Sequence, residues 1–424
     1  MDAITLLPQP AIVKPKRALP VKITHAAGEV SADDPPVLHA AIRLAEQIRE
    51  ASNEIELSRR LPPDIAAAMK QAGVFGMAMP RLWGGPELDP LTQFRVIEAL
   101  AMADGSAGWC TMINCDSGYV TAFLDDAVGR AMYPDIRAPT AAAATTTGRA
   151  RRVPGGYRVS GRFPFLSGCQ HCDWVWLGCL VVDDDGEPLV DAQGVPQTRQ
   201  CFLRSAQCEI LDTWYTTGLR GTGSTDVAVR DEFVPAEHSF SFQDPEIVKR
   251  EGALYAFPFM FIAKGSAPAL GIARHAIDFY VENVCGRPAR RYTRGEGVEP
   301  PKTVREDVYV QDAAGRAETL LAAARAYYFD VIGDLWASLC GGQMPNERQL
   351  ALFTTAYPHI VGACLEAVQT VYKAAGGTAV YQRGALDRCL RDVTTMNQHV
   401  VATPRTYEMA GRLLLGLEPL RWLF

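Results

Sequence analysis

The chain has 424 residues, and 42 basic against 48 acidic side chains give a net charge of −6. This balance lacks the basic surface of a nucleic-acid-binding protein, and 48% hydrophobic with 21% charged residues is typical of a folded globular chain. No uncharged apolar run reaches the roughly 18 residues that span a membrane, and the N-terminal residues lack a secretory signal pattern, so we expect a cytoplasmic protein with no nucleic-acid and no membrane partner.

The first third of the chain carries a tail and then helical signals. Residues 1–33 are rich in Pro, Ala and Lys without periodicity, which predicts an arm. At 33–36 (DDPP) acidic residues are predicted to cap a helix that has Pro in its first turn, and two more Pro-initiated helices follow. The segment 106–124 is apolar on nearly every side and predicts one buried helix. The predicted N-terminal helical domain is 34–138.

The character of the sequence changes near Pro139. Strand alternation and turn signals fill 139–240, which predicts a β domain. Long helical patterns return in a predicted C-terminal domain, 241–424. The helix candidates there are 259–284, 302–338, 347–375 and 385–416. Helices and strands segregated in this way predict an α+β fold.

Eleven cysteines are scattered along the chain, and we interpret most of them as small buried hydrophobic residues. Cys169-Gln-His-Cys172 is a lone CxxC without a second ligand pair, so no metal site is predicted. A redox role for it stays open beside the simpler interpretation, a turn that enters a strand. The sequence has no Gly-rich dinucleotide-binding or P-loop motif.

Five blocks in the same order resemble the acyl-CoA dehydrogenase superfamily and cover about residues 37–416. They are 73–80 (GVFGMAMP) with 83–85 (WGG), 155–168 (GGYRVSGRFPFLSG), 218–235 (GLRGTGSTDVAVRDEFVP), 375–378 (AGGT) and 388–392 (RCLRD). The resemblance implies an N-terminal helical domain, a central β-barrel and a C-terminal four-helix bundle. It also implies a flavin in the cleft between them and, usually, a homotetramer.

The resemblance assigns flavin-binding residues. Phe165 matches the aromatic residue that flanks the isoalloxazine, and Ser167 matches the hydroxyl residue that bonds near N5. Without the resemblance, Phe165 would be strand core and Ser167 a turn residue. The remaining predicted cofactor contacts are Arg220, Thr222 and Ser224 around the phosphate, and Gly376 and Gly377 reaching over from a neighbouring subunit. No adenine-contacting Arg is recognisable in 282–288, which favours FMN or loosely held FAD.

Removing an α-proton from a thioester needs a positioned carboxylate, and the resemblance offers two places for it. Neither 256–273 nor 395–402 contains an acidic residue. His399 stands in the second place, and Arg391, Asp392, Gln398 and His399 match the RD-x5-QH pattern of the two-component flavin-dependent monooxygenase branch. That branch takes reduced FMN or FAD from a separate flavin reductase. Through a C4a-(hydro)peroxyflavin it transfers one atom of O2 to a small aromatic or heteroaromatic, indole-like compound or to an amine.

The branch suggests roles on the substrate side as well. An imidazole of near-neutral pKa at His399 suits proton delivery, with a structural histidine as the alternative, and Ser167 is predicted to donate a hydrogen bond. Trp109 is predicted near the substrate or in the core. Phenol-hydroxylating members often carry a second His at the position of Ser117, so a simple phenol is doubtful here. Asp116 is predicted as a weak base or a partner for an amine, or else as a solvated or capped polar group.

Two rival hypotheses remain from the sequence. The first is an acyl-CoA dehydrogenase-type oxidoreductase with an unrecognised base. The second is a non-catalytic family member that acts as a binding subunit.

Overall fold

The computed structural model describes residues 31–288, 303–382 and 384–418. The predicted arm, 1–33, lies almost entirely outside these residues. The described chain forms a helical part, a central sheet and a second helical part, which confirms the predicted α+β class. The predicted domain boundaries stay a prediction.

Six helices form the first part of the chain. α1, α2 and α3 each begin at a proline, whose fixed φ suits the first helical position. The predicted acidic cap of α1 is wrong, because Asp34 instead pairs with Arg95 of α3 at 2.7 Å. The helices are α1 (Pro36–Ser58), α2 (Pro63–Gln71), α3 (Pro90–Ala103), α4 (Gly105–Asn114), α5 (Ser117–Val120) and α6 (Asp126–Met132).

The predicted single helix over 106–124 is buried, as expected, but it is not continuous. It is α4 and α5 with a break at Cys115 and Asp116, followed by a 3-10 turn at Thr121–Phe123. Gly118 in α5 approaches the backbone of Ala78 so closely that a Cβ would lie 2.1 Å from it, so this contact requires glycine. The break places Asp116 at a bend rather than inside a helix.

Seven strands form one sheet in the order β5-β6-β2-β1-β3-β4-β7. β1 and β3 pair in parallel, and the other neighbours are antiparallel. The turn after β2 meets the turn before β6, where Gly168 N donates to Thr222 O at 2.8 Å. The strands are β1 (Thr140–Val153), β2 (Gly156–Leu166), β3 (Trp174–Val182), β4 (Thr198–Arg204), β5 (Glu209–Leu211), β6 (Thr225–Pro235) and β7 (Ser239–Phe240).

The third part is helical, and α8 to α11 pack against one another around an apolar core. The prediction over 347–375 is confirmed. The predicted helix 385–416 is wrong in its centre, because Pro404 disfavours helix at the residue before it and α12 starts anew. The helices are α7 (Ala253–Ala256), α8 (Ala267–Phe279), α9 (Val308–Cys340), α10 (Glu347–Ala375), α11 (Ala385–Met396) and α12 (Arg405–Leu414).

The other two helix predictions of this part are shorter in the structure. The start of 259–284 is a 3-10 segment, Met260–Ser266, and its end, Tyr280–Val284, is π-helical. α9 begins only at Val308, where Asp307 accepts from a backbone N–H as the cap. α10 is long and apolar enough to cross a membrane by composition, but 61% of its apolar window is buried inside the fold. It is therefore the central helix of this bundle.

Candidate active site

Trp109 and Ser167 meet where α4 packs against the sheet. Trp109 lies in the middle of α4, and Ser167 lies in the turn that follows β2. The indole Nε1 of Trp109 donates to Ser167 Oγ at 2.9 Å, and both residues are buried. A buried indole N–H needs such a partner, so this bond fixes the rotamers of both side chains.

The Ser167 hydroxyl heads a chain of three hydroxyl groups. Ser167 Oγ lies 2.7 Å from Ser224 Oγ, which lies 2.6 Å from Thr222 Oγ1. Thr222 Oγ1 donates to Leu219 O at 2.8 Å. Because each hydroxyl has one proton, Ser224 must donate to Thr222, and Ser167 must donate to Ser224. Ser167 therefore presents a lone pair, whereas the sequence analysis predicted a donor.

His399 joins this pair from the other end of the chain. Its ring lies 5.3 Å from the Trp109 ring, edge to face, and 5.8 Å from the ring of Tyr357 on α10. His399 Nδ1 accepts from Val401 N at 3.5 Å, a long hydrogen bond. Nε2 then carries the proton of the neutral ring, and it has no hydrogen-bond partner in the described part of the chain.

Burial lowers the pKa of His399 to about 4. The desolvated imidazolium is unfavourable, and no carboxylate is bonded to the ring to offset this cost. His399 is therefore neutral at pH 7 in this structure. The sequence analysis expected a near-neutral pKa for His399, and this expectation is wrong. The ring presents a neutral N–H donor to the site.

Phe165 occupies an exposed position with unusual backbone geometry. Its φ is +63°, a conformation that L-residues rarely adopt, and 68% of its surface is exposed. Its ring meets the edge of Trp214 at 6.2 Å. This excludes strand core as the explanation for Phe165. A strained, exposed aromatic residue two positions before Ser167 fits the wall of a flavin-binding slot.

Arg220 is the cation that the sequence analysis predicted beside the flavin phosphate. It opens the 3-10 turn Arg220–Thr222, and its buried Nε has no hydrogen-bond partner among the described residues. A buried guanidinium nitrogen without a partner fits the phosphate of a flavin. The hydroxyls of Thr222 and Ser224 form the chain of hydrogen bonds that leads to Ser167, and their predicted place beside the phosphate stays a prediction.

The turn that carries Arg220 is held by Asp392 of α11. Asp392 Oδ1 accepts from Leu219 N at 2.6 Å, and Leu219 has a φ of +48° at the start of the turn. Burial, with the like charge of Asp104 in second place, raises the pKa of Asp392 to about 7. The RCLRD block thus reaches the cofactor side of the site through the backbone of Leu219.

Gly376 and Gly377 lie at the end of α10, and both are exposed. Gly376 has a φ of +64°, and nothing lies within 4 Å of a Cβ added at either residue. Their predicted contact with the flavin of a neighbouring subunit stays a prediction.

Asp116 has a partner that the sequence analysis did not foresee. Its Oδ1 accepts from Lys264 Nζ in a buried ion pair, and Lys264 also donates to Phe261 O at 2.8 Å. Asp116 is therefore neither a solvated nor a capping residue. Ser117, fully buried, is directed elsewhere, since its hydroxyl bonds to Phe75 O at 3.5 Å.

Asn114 fixes the turn around Ser167 from the α4 side. Its Nδ2 donates to Ser167 O at 3.0 Å, and its Oδ1 lies 3.0 Å from His171 Nε2. The Nε2 of His171 must then carry the proton, which leaves its buried Nδ1 without a partner. Burial lowers the pKa of His171 to about 4, so this histidine is a neutral part of the turn.

The CxxC segment is the turn that leads from Ser167 into β3, as the simpler interpretation predicted. All eleven cysteines are free thiols, and Cys169 and Cys172 are buried. Burial raises the pKa of Cys169 to about 12, so its thiol is protonated at neutral pH. In the ranges that the structure describes, no group of three or more His, Cys, Asp or Glu residues could hold a metal ion.

Sequence reasoning missed Asn114, Tyr357 and Lys264. Asn114 and Tyr357 carry no motif, because an amide or a phenol in an apolar helix is common. Lys264 did carry a signal. It is the only charged residue between Ala256 and Ile272, and a lone charge in so apolar a segment indicates a buried partner.

Comparisons with known proteins show which protein family this chain resembles. Residues 39–134 match the family described as acyl-CoA dehydrogenase, N-terminal domain, and residues 264–404 match its C-terminal domain. The chain is 29% identical to a flavin-dependent monooxygenase, oxygenase subunit HsaA, of Rhodococcus jostii, over 88% of this chain and 97% of that protein. It is 27% identical to an indole-3-acetate monooxygenase of Pseudomonas putida, over 88% and 92%.

A solved structure of a similar protein has the same overall fold. The crystal structure of a 3-HSA hydroxylase from Rhodococcus sp. RHA1 superimposes with a TM-score of 0.82 at 26% identity, over 92% of this chain and 99% of that one.

Proposed function

Because the chain belongs to the acyl-CoA dehydrogenase family, in its flavin-dependent monooxygenase branch, we propose that it is the oxygenase component of a two-component system. It uses reduced flavin and O2 to hydroxylate a small aromatic or heteroaromatic compound. The finer proposal is an indole-like compound or an amine. A relative that is named an indole-3-acetate monooxygenase supports the first of these.

One observation carries this proposal. Trp109 connects a hydroxyl, Ser167, with an imidazole, His399, at one point of the cleft. Among the described residues, none of the hydrogen bonds or ring contacts of these three side chains involves a carboxylate. Dehydrogenation of an acyl thioester needs such a base, so the arrangement favours oxygen transfer over the dehydrogenase rival.

Reduced flavin, when bound, activates O2 and supplies one oxygen atom to the substrate. Phe165 would flank its ring system, and Arg220 would hold its phosphate. We propose FMN or loosely held FAD, since no adenine-contacting Arg is recognisable in 282–288. Weak retention suits a component that receives its flavin already reduced.

The side chains of the site supply hydrogen bonds and exclude water. The free lone pair of Ser167 would accept a hydrogen bond from a bound reduced flavin, and its hydroxyl cannot turn freely because Trp109 and Ser224 hold it. The neutral His399 donates from Nε2 toward the opposite side of the same space. Trp109 and Ser167 are both buried, which keeps their hydrogen bond out of competition with water.

The partners follow from this chemistry. A separate flavin reductase supplies the reduced flavin, by diffusion or by transient contact. We propose a homotetramer in which Gly376 and Gly377 complete the flavin site of a neighbour, and a cytoplasmic location. Eleven free thiols support a reducing compartment.

The test is oxygen incorporation. The chain, a generic flavin reductase, NADH and a library of small aromatic compounds and amines are incubated under isotopically labelled O2. Mass spectrometry should find one labelled oxygen atom in a product only when chain and reductase are both present. No labelled product from the whole library would contradict the proposal. Tightly bound oxidised flavin that bleaches with an acyl-CoA would favour the dehydrogenase rival.

A further inference from the structure

Asp116 and Lys264 form a buried ion pair that the proposed mechanism does not use. Asp116 is 5% and Lys264 1% exposed. Taking two charges out of water is costly, and an apolar pair of similar volume would often be more stable. A pair retained in the apolar core of a helical domain therefore needs a reason beyond stability.

Two routes lead from the pair to the contact between Trp109 and His399. Asp116 follows Trp109 by seven residues and lies just past the end of α4, at the bend before α5. A second route of contacts leads back to His399. Gly265, next to Lys264, abuts the Tyr357 ring so closely that a Cβ would lie 2.9 Å from it, and Tyr357 meets His399.

Together with the Trp109–His399 contact, these contacts form a closed path. It runs from Trp109 along α4 to Asp116, across the ion pair to Lys264, and through Gly265 and Tyr357 to His399, which meets Trp109 again. The Ser167–Trp109 bond lies at one end of this path, and the ion pair lies at the opposite end.

Lys264 and Asp116 differ in the hydrogen-bonding capacity that their ion pair leaves free. Lys264 is saturated, since its three N–H groups face Asp116, Phe261 O and the ring of Tyr119, whose centroid lies 5.1 Å away. Asp116 uses only Oδ1. Among the residues that the structure describes, the hydrogen bond to the Asp116 side chain goes to Oδ1 and leaves Oδ2 without a donor.

The pair therefore presents one acceptor. Asp116 is ionised at pH 7, since burial raises its pKa only to about 6 against the opposing effect of Lys264. An ionised carboxylate oxygen accepts hydrogen bonds and donates none.

We propose that Asp116 Oδ2 is the substrate-recognition group of this site and accepts a hydrogen bond from a ring N–H or phenolic O–H of the substrate. Lys264 is its positioning residue, which holds Oδ1 and keeps the carboxylate ionised. This inference rests on the proposed function. It adds a specificity rule, because substrates whose N–H or O–H is methylated would leave the buried oxygen unpaired.

The experiment compares matched probes by equilibrium binding, without flavin or reductase. Quenching of the tryptophan fluorescence, checked by calorimetry, gives Kd values for indole against 1-methylindole and for phenol against anisole. The wild-type chain should bind the N–H or O–H member of at least one couple about tenfold more tightly or better. Less than threefold discrimination in both couples would overturn the inference.

The variants separate recognition from folding. The Asp116→Leu/Lys264→Met double variant removes both charges and the acceptor oxygens at similar volume, so it avoids a lone buried charge. Its discrimination should fall below about threefold while its affinity for reduced FMN is unchanged. Retained discrimination would refute the assignment. The Lys70→Met/Asp173→Asn double variant, which breaks an exposed Lys–Asp pair elsewhere, is the matched control and should keep it.

Failure of the proposed function gives a different result. In that case no labelled oxygen reaches a product. The binding comparison still measures whether the Asp116 oxygen accepts a hydrogen bond from the probe. If the wild-type chain oxygenates indole and 1-methylindole equally well and binds them equally, the function stands and the recognition role of Asp116 is wrong.

Discussion

Trp109 Nε1 lies 2.9 Å from Ser167 Oγ, and this bond joins the side chains of α4 and of the turn after β2 at the candidate active site. Trp109→Phe keeps the ring against His399 and removes the donor. The Ser167 hydroxyl can then rotate, so we expect the ratio of hydroxylated product to H2O2 to fall on the order of tenfold. Trp83→Phe is the control, because it removes another indole donor, bonded to Asp126, outside the site. An unchanged ratio in Trp109→Phe would remove this bond from the mechanism.

His399→Ala removes the neutral N–H donor while leaving the cofactor side of the site intact. Product formation should fall at least about tenfold, with the Kd for reduced flavin within about threefold of wild type. His359→Ala removes an exposed histidine and is the control. Because burial lowers the pKa of His399 to about 4, its ring protons should show no titration near pH 6.5 in the NMR spectrum. Titration near 6.5 would restore the proton-donor interpretation.

Phe165→Asn tests whether a strained residue is kept for binding. Asn tolerates a positive φ better than Phe, so the midpoint of thermal unfolding should stay or rise. The affinity for reduced flavin should fall several-fold because the aromatic wall is lost. Phe233→Asn, at an exposed strand position, should leave flavin affinity unchanged. A variant that loses stability and keeps its affinity would contradict the proposed role.

Arg220→Gln removes the cation predicted beside the flavin phosphate. A charge-assisted hydrogen bond to phosphate contributes about 1.5–3 kcal/mol, so the Kd for reduced FMN should rise about tenfold or more. The difference in Kd between Arg220→Gln and wild type should become smaller at high salt if part of the attraction between Arg220 and the phosphate is long-range. Arg230→Gln removes an exposed arginine paired with Glu209 and should not change the Kd. Equal affinities for both variants would place the phosphate elsewhere.

Asp392→Asn tests the pH dependence that the buried carboxyl creates. The pKa of Asp392 is raised to about 7 in the folded chain from an ordinary value of 3.8, so folding favours the protonated form. Its contribution to stability is complete below about pH 4 and is lost as the pH rises through 7. Asn keeps an acceptor for Leu219 N without the charge.

The unfolding midpoint of Asp392→Asn relative to wild type should therefore increase between pH 5 and pH 8. Asp330→Asn, at an exposed position of α9, should show a constant difference over that range. A constant difference for Asp392→Asn as well would mean that Asp392 is ionised throughout.

The local pattern of the sequence determined the α+β class, the starts of α2, α3 and α10, and the family blocks, since proline positions and hydrophobic periodicity act over a few residues. The same pattern wrongly joined α4 to α5, because contacts such as that of Gly118 with the backbone of Ala78, and of Asp116 with Lys264, are with residues distant in sequence. Likewise Asp34 faces an arginine of another helix, and local cap rules do not include that partner.

The sequence by itself also placed Ser167, Trp109 and His399 in one hypothesis, and it excluded a carboxylate from the two expected positions. Only the tertiary structure decided how these side chains act. The direction of the hydroxyl chain, the neutral state of His399 and the Lys264 partner of Asp116 all depend on which groups are brought together and how far water is excluded. Hydrogen-bond direction and pKa are set by those three-dimensional neighbours, which a linear pattern does not contain.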